Sequence, residues 1–389
     1  MGAALYAGSH FMNRTPGYLQ SKSHYEILDG LRGVAALMVV IFHTFEAYAD
    51  GSVFKQIMNH GYLAVDFFFL LSGFVVAYAY DDRWGKMTQW DFYKRRLVRL
   101  QPMVIMGTVI GAALFYFQTC PIFSLVSTTP VHKMLLVMLV GFTLIPILPS
   151  MDIRGWQEMH PLDGPAWSLF FEYIANILYG VGFRKLSNKA LGVFVALSAA
   201  LLVHLTVWGP RGDVIGGWAV DKTQLHIGFA RMLYPFFAGI LLMRLGKRIH
   251  VPNAFAICSV LIVAIFWVPR LGGPQHLWVN GLYESFCIIV LFPIVVAMGA
   301  GDRVTGPLST KLCKFFGEIS YPLYITHYPL IYVYTAWVTR NKIPAAQGAV
   351  WGVVLLLTAV AIAYACLKLY DEPVREWLRR RFLVKSVLD

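Results

Sequence analysis

Arg32 and His43 lie eleven residues apart in a stretch, residues 31–49, that is otherwise almost wholly apolar. At about 100° and 1.5 Å per residue, that spacing puts both on one face of a helix, about 16 Å apart along its axis. With Arg32 at one surface of a bilayer, His43 falls roughly half way across a ~30 Å hydrocarbon core. A titratable side chain at that depth is costly unless it faces a polar cavity, and imidazole exchanges its proton near neutral pH. His43 is thus a candidate general base or nucleophile. Arg32 either meets an anion or snorkels into headgroups.

Other polar residues sit where a membrane should exclude them. Ser320, Tyr324 and His327 are spaced to form one helical stripe, which carries His327 toward the depth of His43. A stripe of Ser and Tyr alone would serve as helix-packing glue. Ser168 and Glu172 are four apart and share a face; Glu172 is either a helix-pairing residue or a cavity carboxylate. Asp66 lies near the outer end of the second apolar stretch, and Arg231 is buried in the seventh. Glu172 or Asp66 is the expected partner of Arg231. Arg96 and Arg99 fall in a basic run after the second stretch. They read either as topology signals or as guanidinium forks for an anionic ligand.

The elements that must position these residues are membrane helices. Of 389 residues 58% are hydrophobic and 14% charged, against a usual charged fraction of about 25%. The fold class is therefore all-α and polytopic, with aromatic residues at 15% suiting interfacial belts. The net charge of +12 does not point to nucleic acid, because the basic residues are confined to short connections. Five cysteines lack metal-type spacing and read as small hydrophobes, with neither a metal site nor a disulfide framework expected. Residues 1–30 carry no cleavable-signal pattern, so the first span is expected to direct insertion.

Apolar stretches fall near 31–49, 61–80, 102–118, 134–149, 165–183, 190–208, 225–243, 253–269, 283–299, 318–337 and 347–367. Basic clusters at 81–101, 184–189, 244–250, 303–314 and beyond 367 fall on one side only if one stretch does not cross. The shortest, 134–149 with Pro146 and Pro149, is read as re-entrant or interfacial. About ten spans remain, with residues 1–30 and 371–389 as cytoplasmic termini around a membrane domain at 31–370. Roughly three quarters of the 33 Lys and Arg then lie inside, as the positive-inside rule requires. No internal repeat is apparent.

Five segments resemble the acyltransferase-3 family. They are residues 28–32 followed by His43, residues 65–74 (VDFFFLLSGF), 95–102 (RRLVRLQP), 164–172 (GPAWSLFFE) and 319–327 (ISYPLYITH). Their order and the Arg-ten-His spacing match the family over about residues 24–380. The resemblance implies an integral membrane O-acyltransferase of a bacterial cytoplasmic membrane, with a cytoplasmic acyl-CoA donor and an extracytoplasmic or lipid-linked carbohydrate acceptor. It implies an essential Arg and His, which fall here on Arg32 and His43. No permanently bound cofactor is expected; the donor, with acetyl the expected acyl group, is a substrate. The chain ends about twenty residues after its last span, so the fused extracytoplasmic hydrolase-like domain of some members is expected to be absent.

On this reading His43, Arg32, Glu172 and His327 are the catalytic candidates. Arg96, Arg99, Asp66, Ser72, Trp167, Ser168, Arg231, Ser320, Tyr321 and Tyr324 are the substrate-binding ones. Arg96, Arg99 or Arg32 would take the donor's phosphates. Arg231 would neutralise an oxyanion or hold Glu172. Buried charges on ten spans also suit a proton-coupled transporter or glycan flippase, and release of free CoA thiol separates the two classes.

Overall fold

A computed structural model describes Lys22 and residues 24–383, and every described element is helical apart from one isolated backbone bridge, Glu158 to Ala219. In chain order the helices are α1 (Glu26–Glu46), α2 (Ala64–Tyr80, entered through a single turn at Gly61–Leu63), α3 (Gln89–Leu114), α4 (Val131–Gly141) and α5 (Ala166–Val181). There follow α6 (Asn188–Val203), α7 (Lys222–Leu245), α8 (Ala254–Trp267), α9 (Leu277–Phe286), α10 (Phe292–Gly299), α11 (Pro307–Asn341), α12 (Ala345–Cys366) and α13 (Glu372–Phe382). Single π-turns join α9 to α10 and α12 to α13, so each pair runs on without a loop.

Local chemistry sets several ends. Thr88 and Asp91 form a reciprocal capping box at the start of α3, satisfying two backbone donors that would otherwise be free. Asp221 caps α7 through the amides of Thr223 and Gln224, and Gly246, in the left-handed conformation, stops it. The capping box corrects one expectation. The basic run at 94–99 is not a connecting loop but the first turns of α3, so Arg96 and Arg99 stand on a rigid helix. At the other end, residues 372–382, expected as part of a tail, form α13. Most of the expected N-terminal segment lies outside the described residues, and α1 begins within it, at Glu26.

Among the described residues, seven segments are long and apolar enough to cross a membrane: Glu26–Glu46, Gly61–Tyr80, Gln89–Gln118, Asn188–Trp208, Lys222–Leu245, Leu277–Gly299 and Ala345–Phe382. Helix α4, with 11 residues, is about 16 Å long and too short to span. Helix α11 extends for 35 residues and contains Pro322 and Pro329. It is the central element: α1 lies along it, α12 and α3 flank it, and α2 pairs with α7. At that second crossing Gly73 and Gly239 let the two backbones touch. A Cβ on Gly73 would come within 1.8 Å of the Phe236 carbonyl oxygen. Helices α6 and α12 form the periphery, with apolar side chains turned outward.

Candidate functional site

Helices α1 and α11 bring two histidines together. The rings of His43 and His327 stack with centroids 5.6 Å apart and an interplanar angle of 30°. Tyr328 closes one edge of His43 at 4.7 Å. His43 Nδ1 lies 2.7 Å from Glu46 Oε2, one turn along the same helix. With Nδ1–H donating to the carboxylate, Nε2 is left as a free lone pair. His327 is fully buried, and its Nδ1 faces the carbonyls of Tyr324 (2.9 Å) and Leu323 (3.1 Å). A carbonyl can only accept, so Nδ1 carries the proton and Nε2, which has no partner, is again a lone pair. Two imidazoles thus present unoccupied basic nitrogens in one buried place. Glu46 escaped the sequence reading, although its i,i+3 spacing from His43 was the available signal.

A cleft of about 790 Å³, open at its mouth, lies one helical turn away. Arg32, Arg96 and Arg99 line it at one end, Phe68, Phe69 and Val75 along its apolar wall, and Ser168 and Tyr324 at its inner end. Arg32 is held by Ser320 Oγ (2.7 Å), the Gly317 carbonyl (3.1 Å) and Asp29 (3.2 Å). Arg96 pairs with Glu172, which also accepts from Ser72 Oγ at 2.8 Å. Tyr321 donates to the Leu100 carbonyl at 2.6 Å, fastening α11 to α3. The hydroxyls of Ser168 and Tyr324 are 2.8 Å apart. Tyr324 packs edge-on against Phe68 with centroids 5.4 Å apart. Neither histidine lines the cleft; the Tyr324 and Phe68 rings stand between.

The sequence left Arg231 two possible partners, and the structure places it on one of them. Its guanidinium meets both oxygens of Asp66, at 2.6 and 3.2 Å, and donates to the carbonyls of Tyr62 and Gly216. Both side chains are buried, and Trp167 stacks over the pair at 5.1 Å. So committed, Arg231 reaches neither Glu172 nor the cleft, and Asp66, Trp167 and Arg231 form a structural lock between α2 and α7. Glu172 is likewise taken by Arg96 and Ser72.

Two further buried networks carried no pattern in the sequence. His60, Asn280, Glu284 and Tyr62 interlock beneath the loop at Val214. In the loop between α4 and α5, Arg154 is wholly buried, 3.4 Å over the Tyr332 ring. It pairs with Glu158 at 3.3 Å, and Glu158 accepts the Tyr332 hydroxyl at 2.7 and 2.8 Å. Burial pushes the Glu158 carboxyl up to about 7, against the opposing pull of Arg154 and Tyr332. An irregular loop and α11, far apart in sequence, meet here, so no periodicity could have announced them.

A bundle of long apolar helices around a buried polar centre defines a helical membrane protein. The chain belongs to the acyltransferase-3 family: the family's acyltransferase domain matches residues 25–368. Protein 2 in the picA locus of Rhizobium radiobacter is 32% identical over 188 residues, covering 46% of this chain and 92% of its own length. O-acetyltransferase OatA of Staphylococcus aureus is 24% identical over 380 residues, 90% of this chain. A putative O-acetyltransferase of the same species is 23% identical over 356 residues, 86% of this chain. The chain spans only 57% and 55% of the lengths of these two proteins. No solved structure matches the chain.

Proposed function

We propose that this protein transfers an acyl group, acetyl in the first instance, from cytoplasmic acyl-CoA to a hydroxyl of an extracytoplasmic or lipid-linked carbohydrate. The observation that carries the reading is the Glu46–His43 dyad, stacked on His327 one turn beyond an arginine-rimmed apolar cleft. The family match and the O-acetyltransferase relatives support it. In this reading ten segments cross the membrane, the seven long apolar ones with α5, α8 and α11. Helix α4 is re-entrant, both termini are cytoplasmic, and the membrane is the bacterial inner membrane.

Donor phosphates bind at the arginines, and the neutral pantetheine arm follows the apolar wall toward Tyr324. The acyl end passes the Tyr324–Phe68 contact to reach the histidines. A sugar hydroxyl ionises far above neutrality, so its attack needs a base. His43 Nε2 takes that proton, and Glu46 steadies the imidazolium as a carboxylate does in a hydrolase triad. The alkoxide adds to the thioester carbonyl, the C–S bond breaks, and the proton returns from His43 to the CoA thiolate. In this reading the Tyr324 hydroxyl donates to the oxyanion. If His43 instead carries the acyl group, the same nitrogen forms the covalent bond and His327 is the remaining base.

The test is release of CoA thiol and acylation of envelope glycans in membranes from wild-type and His43→Ala cells, with acetyl-CoA supplied. Loss of both signals in the variant, with insertion unchanged, is the expected result. Full transfer by His43→Ala would overturn the assignment of His43, and the absence of any acyl-bearing glycan in the wild type would overturn the proposed reaction.

A further inference from the structure

Three guanidinium groups, those of Arg32, Arg96 and Arg99, line the cleft, a fourth on Arg375 lies within electrostatic reach of Arg99, and three of the four already have a carboxylate. Arg32 pairs with Asp29, Arg96 with Glu172 and Arg375 of α13 with Asp371 at 2.7 Å. Arg99 has no hydrogen-bond or ion-pair partner among the described residues, although it lines the cleft and feels the charges of Arg32, Arg96 and Arg375. Asp371 is the odd member of this set. It occupies the last position of the π-turn Leu367–Asp371, a one-residue insertion of the kind that turns a side chain inward at functional sites. It is 1% exposed, and only one of its oxygens is satisfied. The buried Nε of Arg375 is likewise unpartnered, and Arg99 acts on Asp371 from the cleft side. A buried carboxylate with one free oxygen, beside a part-exposed guanidinium whose buried Nε has no acceptor, describes a site that fits an anion better than it fits the residues now filling it.

We propose that Asp371 is an exchangeable counter-anion of the donor site: it neutralises Arg375 and Arg99 until the phosphates of a nucleotide-bearing acyl donor replace it. Helix α13 is then part of the donor site, and Arg375 is a phosphate-binding residue that no motif marks. The inference rests on the reading that the cleft takes acyl-CoA. The cleft's lining suits a ligand charged at the arginine end and neutral along the apolar wall. The guanidinium groups are not left bare, because one anion arrives as the other leaves, and Asp371 must reach water or take up a proton as it goes.

The experiment titrates the full-length protein, in nanodiscs of neutral phosphatidylcholine, with acetyl-CoA and separately with S-acetylpantetheine, which lacks the nucleotide. Wild type should bind acetyl-CoA far more tightly. Arg375→Ala should weaken acetyl-CoA binding by about tenfold or more and leave the S-acetylpantetheine titration unchanged. Asp371→Asn, which removes the competing charge without changing shape, should tighten acetyl-CoA binding several-fold. A purely structural ion pair would move both variants the same way, so parallel losses, or no change in either, overturn the inference while the donor reading stands. Arg375→Lys, which keeps the charge, checks that a loss in Arg375→Ala is not misfolding and should recover part of the affinity. If Arg375→Ala alters acetyl-CoA binding only in discs containing anionic phosphatidylglycerol, the group serves lipid headgroups and the proposal falls. A wild type that binds neither compound overturns the donor reading itself.

Discussion

At the scale of single residues, the His43–Glu46 dyad and the Asp66–Arg231 ion pair make opposite demands. Glu46 beside His43 is partly exposed and can be altered without burying a bare charge. Glu46→Gln should insert and bind donor normally, yet lower transfer by at least about tenfold by removing the carboxylate that steadies the imidazolium. His43→Ala should lose the ~10²–10⁴-fold typical of a missing general base. Rates measured in membranes with matched protein levels check both, and equal rates for wild type and Glu46→Gln would confine Glu46 to a structural role. Asp66 and Arg231 behave differently because neither has access to water. Asp66→Ala leaves a buried guanidinium uncompensated, a loss of roughly 3–5 kcal/mol. It should therefore lower the melting temperature of the purified protein sharply. Replacing both members with apolar residues of similar volume should recover much of that loss. A single variant that melts like the wild type would show that the pair is not a lock.

At the scale of elements, the sequence was most legible where one helix carries the pattern. The Arg32–His43 spacing and the Ser320–Tyr324–His327 stripe each needed only helical periodicity, and α1 and α11 bring the two histidines to within stacking distance. Partners were legible only as alternatives, because periodicity says which face a residue occupies and not what faces it; Arg231 has Asp66 and not Glu172. The start of α3 was misread because six basic residues in 81–101 resemble a connection, whereas the Thr88–Asp91 box starts the helix at Gln89. The short α4 leaves the alternation of the remaining helices as the testable consequence. Reporters placed at residues 50–60 and at residues 185–189 should lie on opposite sides of the membrane. The same side for both would make α4 a crossing element and invert everything after it. At the α2–α7 crossing, Gly73→Val should abolish folded protein, since its side chain would occupy the Phe236 carbonyl. Detergent-stable wild-type levels of Gly73→Val would contradict the close approach.

At the scale of the whole molecule, the histidine pair is flanked on two sides, while Glu46 at its edge stays exposed. The Tyr324–Phe68 contact separates the cleft from the histidines, and the loop at 152–165 packs over Tyr328 and Tyr332 beyond them. What fastens that loop is the Arg154–Glu158–Tyr332 cluster, so its protonation state bears on the stability of the whole bundle. The Glu158 carboxyl is raised from 4.5 to about 7 in the fold, chiefly by burial. A raised acid is held protonated by the folded state, so its contribution is fully present below pH 4.5 and disappears as the pH rises through about 7. A shift of this size corresponds to roughly 3 kcal/mol for a group so little exposed. Glu158→Gln keeps the shape and removes the titration. Across pH 5 to 8, the wild-type melting temperature should therefore fall relative to that of Glu158→Gln, most steeply between about pH 5 and about pH 6.5, with little further change above about pH 7.5. Thermal melts of the two purified proteins over this range decide the matter. Profiles that stay parallel would mean Glu158 is ionised throughout, held by Arg154, and the loop would then be pinned by a permanent ion pair rather than by a neutral acid.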